Sequence, residues 1–159
     1  MQIKTLETTS DLRPLKEALL SSDVILDAIF GFSFQPPVRA PFDEALPLLS
    51  QSRLPIVSVD VPSGWNVDEG RVDARALEPD VLVSLTAPKE GVRAYKGRHF
   101  LGGRFVPKSV TFSSLQGHAA HVRVFVYRTL EEKYQLNLPE YPGFSQIVEL
   151  PRSEDSQKL

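Results

Sequence analysis

Two stretches decide how this chain reads: VILDAIFGFSF, residues 24–34, and IVSVDVPSGW, residues 56–65. In the first, Val24, Ile25 and Leu26 lead into Asp27, and the chain then breaks at Gly31-Phe32-Ser33. In the second, an apolar run leads into Asp60 and then Pro62-Ser63-Gly64. A short apolar run closed by Gly or Pro has the pattern of a buried parallel strand. Open parallel sheets hold ligands just beyond the carboxyl ends of their strands. Two aspartates and two serines, Ser33 and Ser63, are thereby aimed at the place where such a fold keeps its site.

The rest of the chain alternates helix and strand signals. Ser10 suits a helix cap, with Pro14 in the first turn and Leu12, Leu15, Ala18 and Leu19 on one face. Residues 24–30 form the predicted first strand. The prolines of QPPVRAPF exclude regular structure, and residues 42–51 have helical spacing interrupted by Pro47. Residues 56–60 and 80–85 are the next predicted strands, joined by the polar loop NVDEGRVDARALEP. This order predicts a right-handed α/β unit with a mostly parallel sheet. Short strands are expected near the end of TAPKEGVRAYKGRHFLGGRFVP, and alternating Val122, Val124 and Val126 suggest one more.

Composition excludes several classes. At 159 residues the chain suits one domain with its own core. Eighteen basic and twenty acidic residues are interspersed, so no basic face for nucleic acid or an anionic membrane emerges. The absence of cysteine removes disulfides, thiolate nucleophiles and cysteine zinc sites. No apolar run approaches a membrane span, and the start lacks the pattern of a signal peptide. A soluble cytoplasmic protein is the expectation. His118 and His121 have metal-like spacing without a third ligand. No Gly-rich phosphate loop opens the α/β pattern, so the chain reads as though it starts within a fold.

DAIFGFSF, VRAPF, VDVPSGW, LVSLTAPK, GRHFLGGRFVP and KYQLNLPEYPG, in that order, resemble the NAD(P)H-hydrate epimerase family, whose animal members are called apolipoprotein A-I-binding proteins. The resemblance runs from about Val24 to Leu150. It implies a three-layer α/β/α sandwich of Rossmann type and, in the intact fold, a homodimer. It also implies interconversion of the two epimers of hydrated NADH and NADPH, in the cytoplasm and also the mitochondrion. Asp60 matches the family's substrate-side aspartate, the natural general acid/base. Asp27 and Ser63 match its potassium ligands. Gly31, Phe32, Ser33, Phe34, Gln35, Pro36 and Pro37 match its substrate-contacting turn. Pro36 stands where the family has glycine and brings no amide to that turn.

The same comparison predicts that residues 1–150 are the C-terminal portion of one epimerase domain and 151–159 a polar tail. The family's preceding strand and Asn/Gly-rich loop would lie before Met1, so epimerisation is expected to require them. Residues 109–129 read as an insertion, either a surface loop or translated intron sequence. A non-catalytic protein-binding module, or an inactive fragment of the family, is the alternative function. Taken alone, Asp60 also suits a turn cap before Pro62 and Asp27 a carboxylate satisfied by backbone amides, while Lys89, Arg93, Lys96 and Arg98 suit phosphate but read better as ordinary interspersed surface charge.

Overall fold

The computed structural model describes residues 11–103, 139, 145 and 147–151. Within them the order is α1 (Arg13–Leu20), β1 (Ile25–Asp27), α2 (Phe42–Gln51), β2 (Ile56–Val59), β3 (Val81–Leu85), a 3₁₀ turn (Glu90–Val92), β4 (Arg98–Gly102) and β5 (Ile147–Glu149). The strands form one sheet in the order β1-β2-β3-β4-β5. β1, β2, β3 and β4 pair in parallel, and β5 closes the edge antiparallel to β4. The expected α/β architecture with a mostly parallel sheet is therefore present. Ser10, residues 109–129, His118, His121, the strand expected around Val122–Val126 and the tail beyond Pro151 lie outside the described residues.

Alternation along the strands assigns two faces. Ile25, Asp27, Ile56, Ser58, Leu82, Ser84 and Leu101 share the buried face. On the other face Leu26 is exposed, and Val57, Val59, Val81, Val83 and Leu85 are half-buried. The buried face carries two clusters. Leu46 and Leu49 of α2 pack with Ile25, Ile56 and Leu77, and Leu15 and Leu19 of α1 lie against them. Leu82 packs with Val61, Trp65, Ala76, Val92 and Tyr95.

α1 begins with Pro14 in its first turn and has no side-chain cap. α2 places Asp43 and Glu44 in its first turn, where acidic groups complement the helix dipole. It runs through Pro47, which can make no bond to the carbonyl one turn earlier. Burial of Ala45, Leu46 and Leu49 offsets that loss.

The first strand is shorter than the pattern of residues 24–30 suggests. Beyond Asp27 the amides of Ile29 and Phe30 turn to side chains, Ile29 N to Asp27 Oδ1 at 3.4 Å and Phe30 N to Ser63 Oγ at 3.2 Å. Those donors are lost to a ladder, and the strand ends. The link from β2 to β3 contains no α-helix. Residues 61–80 wrap the sheet irregularly, pinned by the Trp65 indole donating to the Leu77 carbonyl at 2.6 Å. Trp65 is thus a packing residue. Gly64 holds φ +93°, and a Cβ there would lie 2.9 Å from Ala76.

His99 on β4 lies on the buried face beside Leu82, 2.8 Å from the Ser84 hydroxyl through Nε2 and edge-on to Tyr95. Burial pushes its imidazole down to about 4 from an ordinary 6.5. Above pH 6.5 folded and unfolded chains both hold it neutral. Between that value and about 4 only the unfolded chain takes up the proton, so stability falls as pH drops through this window. The loss attributable to His99, discounted for its partial exposure, is expected to be on the order of 1 kcal/mol at pH 4. Urea denaturation at pH 7 and pH 4 checks this: the His99→Gln variant should lose less stability than wild type on acidification, and equal losses would refute it.

Candidate functional site

Asp27 ends β1, Asp60 follows β2 and Lys89 follows β3, so all three stand beyond the carboxyl ends of neighbouring parallel strands. Two distinct constellations arise there. The first is sealed. Asp27 is 1% exposed, and Ser58 and Ser63 are 0% exposed. Asp27 Oδ2 accepts the Ser58 hydroxyl at 2.7 Å and the Ser63 amide at 2.9 Å, and Oδ1 accepts the Ser63 hydroxyl at 2.5 Å. The Ser63 carbonyl accepts the Leu77 amide at 3.0 Å, tying this knot to the loop before β3. Hydroxyls, and not backbone amides alone, satisfy the carboxylate.

A buried ionised carboxylate needs compensation by positive charge or hydrogen bonds. Among the described residues no ammonium or guanidinium pairs with Asp27. The side chains gathered on it, Ser58 and Ser63, bring only oxygen, the chemistry a hard monovalent cation prefers. Asp27 and Ser63, the expected potassium ligands, engage each other here, and the Ser63 hydroxyl both donates to Asp27 and accepts the Phe30 amide. Among the described residues no group of three or more His, Cys, Asp or Glu gathers as a metal site.

The second constellation is open. Asp60 Oδ1 forms an ion pair with the Lys89 ammonium, and Oδ2 accepts the Phe32 amide at 2.9 Å. Lys89 also donates to the Leu85 carbonyl at 2.9 Å. Both side chains are largely enclosed, Lys89 19% and Asp60 15% exposed. Gly31 makes the approach possible, because a Cβ there would stand 2.8 Å from Asp60 Oδ2. Asp60 itself has φ +74°, and the Val61 amide bonds to the Val59 carbonyl across it at 3.1 Å. Thr86 repeats the device after β3, with φ +67° and the Ala87 amide on the Leu85 carbonyl at 2.8 Å. Such i→i+2 turns of positive φ are rare and strained, and strain of this kind concentrates at functional sites.

The turn of residues 31–37 forms one wall of a cleft of about 720 Å³. Phe32, Ser33, Phe34, Gln35 and Pro36 line it, facing Asn66, Val67, Asp68, Glu69 and Val72. A cleft of this size matches those that take small molecules. The Phe32 amide is engaged by Asp60 and the Phe34 amide by the Gly31 carbonyl at 2.9 Å, while Pro36 and Pro37 have none. Among the described residues the amides of Ser33 and Gln35 have no hydrogen-bond acceptor. Phe30 stacks on Phe34 at 4.4 Å and meets Phe42 edge-on at 5.3 Å, which stiffens the base of the turn.

The structure thus brings Asp60 to the turn and Asp27 to Ser63 as two separate groups. The sequence reading gave Lys89 to the charged surface along with Arg93, Lys96 and Arg98. That holds for Arg93, paired with Glu90, and Arg98, paired with Glu149. Lys89 instead points into the site. Its signal was its place, four residues past the end of an apolar strand. Ser58 was also missed, hidden within the strand that it occupies.

A parallel α/β sheet with carboxylates and a lysine at adjoining strand ends, Asp60 among them holding the turn that walls the cleft, defines an α/β domain of the class whose ligand crevices lie beyond the strand ends. The family model described as YjeF-related protein N-terminus matches residues 1–91, and the chain belongs to that family. It is similar to the NAD(P)H-hydrate epimerase of Cryptococcus neoformans var. neoformans, at 46% identity over 158 residues, covering 90% of this chain and 55% of that protein. It is also similar to the NAD(P)H-hydrate epimerase of Puccinia graminis f. sp. tritici, at 46% identity, covering 89% of this chain and 51% of that one. The same name is carried by a Sclerotinia sclerotiorum relative at 44% identity, covering 89% and 52%. Among solved structures, the crystal structure of yeast ynu0, YNL200c, matches with a TM-score of 0.67 at 35% identity, over 88% of this chain and 52% of that one. The chain spans about half the length of the relatives it matches. Among the described residues no helix is long and apolar enough to cross a membrane.

Proposed function

We propose that this chain carries the acid/base wall of a site that epimerises hydrated NADH and NADPH, as the names of its relatives suggest. The observation that supports this most directly is Asp60, tethered to the turn that lines the cleft. Hydration of an enamine ring puts the hydroxyl on the carbon next to nitrogen. That carbon inverts when the carboxylate removes the hydroxyl proton and the carbon–nitrogen bond opens to an aldehyde, its electron pair going to the ring nitrogen, which takes that proton. Closure on the opposite face returns the proton and gives the other epimer. Atoms and electrons balance without an oxidant or reductant, so one proton-exchanging carboxylate suffices, and Asp60 is that group.

Gly31, Phe32, Ser33, Phe34, Gln35, Pro36 and Pro37 hold the nucleotide in this reading, with the Ser33 and Gln35 amides toward phosphate. Asp27 and Ser63 would hold a potassium ion through oxygen. When bound it supplies a fixed positive charge behind the turn. The proposal includes a homodimer, and the cytoplasm or mitochondrion as compartment.

The test incubates separated epimers of hydrated NADPH with the chain, and with the chain joined at its N-terminus to the preceding segment of the Cryptococcus relative. Faster interconversion by either, greater in potassium than in lithium chloride, is expected. Epimer ratios that drift at the uncatalysed rate with both preparations overturn the reading. Equal rates in the two salts overturn the potassium site alone.

A further inference from the structure

Lys89 has no assigned role beyond its charge, yet its surroundings fix it unusually well. Its ammonium is held from two sides, by the Leu85 carbonyl at the end of β3 and by Asp60 Oδ1 beyond β2. Asp60 Oδ2 is held from a third direction, by the Phe32 amide on the cleft turn. A carboxylate otherwise swings freely about its side-chain bonds. Here each oxygen is tied to a different element, and the backbone beneath it is fixed by the positive-φ turn at φ +74°.

We infer that Lys89 is a positioning residue that clamps Asp60 against the Phe32 amide and so couples the acid/base group to the turn that receives substrate. The inference rests on Asp60 exchanging the proton in the proposed reaction. The largely enclosed ammonium has little room to collect a phosphate, because two of its three hydrogens already have partners within the protein. Its contribution to the rate is therefore geometric: misplacing a reacting group by about 1 Å lowers turnover about 100-fold.

The experiment compares wild type, Lys89→Met, Lys89→Arg and Asp60→Ala in the full chain. The first readout needs no substrate. An amide bonded to a carboxylate resonates downfield and exchanges slowly, so the Phe32 amide reports the clamp. In Lys89→Met it is expected to move toward its position in Asp60→Ala and to lose protection from exchange, and in Lys89→Arg to stay near wild type. The second readout is turnover: kcat about 100-fold lower in Lys89→Met with KM within about threefold, and recovery to within about tenfold by Lys89→Arg.

A Phe32 amide unmoved in Lys89→Met overturns the clamp, even if that variant melts lower, because Lys89 is then only structural. A raised KM with unchanged kcat overturns it in favour of substrate binding. A Phe32 amide that moves as expected in Lys89→Met, alongside a wild-type chain that epimerises nothing, leaves the clamp standing and removes the proposed reaction instead.

Discussion

Replacing Asp27 by alanine is expected to remove most of the chain's stability. The carboxylate serves four donors: the Ser58 hydroxyl, the Ser63 amide and hydroxyl, and more weakly the Ile29 amide. Ser58 and Ser63 are fully buried, so water cannot replace the lost acceptor without opening the fold. Each donor orphaned in this way costs about 1–3 kcal/mol. Rotation lets one hydroxyl find another acceptor and the Ile29 amide is only weakly engaged, so two orphaned donors leave about 2–6 kcal/mol, against a total of roughly 5–15 kcal/mol for a small domain. The damage also spreads along the chain, because the knot joins the end of β1 to the Pro62-Ser63-Gly64 turn and, through the Ser63 carbonyl, to Leu77. Urea denaturation at pH 7 is the measurement. Asp27→Ala should show a sharply lower midpoint or no cooperative transition, and Asp27→Asn, which keeps one acceptor oxygen, an intermediate loss. A midpoint for Asp27→Ala close to that of wild type would show that the knot contributes nothing.

What the sequence made legible follows from how local each feature is. The apolar runs ending at Asp27 and Asp60 are written within a few residues, and so is α2, whose buried Leu46 and Leu49 fall three residues apart. Parallel pairing of β1, β2 and β3 follows from their spacing, since each link is long enough to return to the same edge. The first strand was drawn too long because its last residues are as apolar as those before them. What ends it is Ser63, 36 positions away from Asp27. The division of Asp27 and Asp60 into a sealed knot and an open pair was invisible for the same reason. Lys89 stands among Arg93, Lys96 and Arg98 in sequence, and only the return of β3 beside β2 brings it to Asp60. The links from β2 to β3 and from β3 to β4 carry no long periodic segment, so their contribution to the buried face, through Trp65, Val92 and Tyr95, required the folded chain to be seen.

Replacing Asp60 by asparagine should bring the largest loss of function at little cost to the fold. Asparagine matches the aspartate in shape and tolerates positive φ comparably, so φ +74° adds no new strain. Its amide oxygen still accepts the Phe32 amide, which keeps the cleft turn in register. The ion pair with Lys89 is lost from a largely enclosed site, so the melting temperature should fall, but the ammonium keeps the Leu85 carbonyl and gains the asparagine oxygen as a neutral acceptor, which limits the drop. What disappears is the carboxylate assigned the proton exchange in the proposed reaction. Removal of a general acid/base lowers turnover about 10²–10⁴-fold, and the loss should appear in kcat with KM nearly unchanged. The same variant separates the enzymatic reading from a non-catalytic protein-binding module of this family, since a partner that docks on the surface gains nothing from a proton-exchanging carboxylate at a strand end. Epimerisation within about threefold of wild type in Asp60→Asn would mean that the reaction, if present, uses another group. The Asp60–Lys89 pair would then have to be read as the brace that lets two strained strand ends lie side by side.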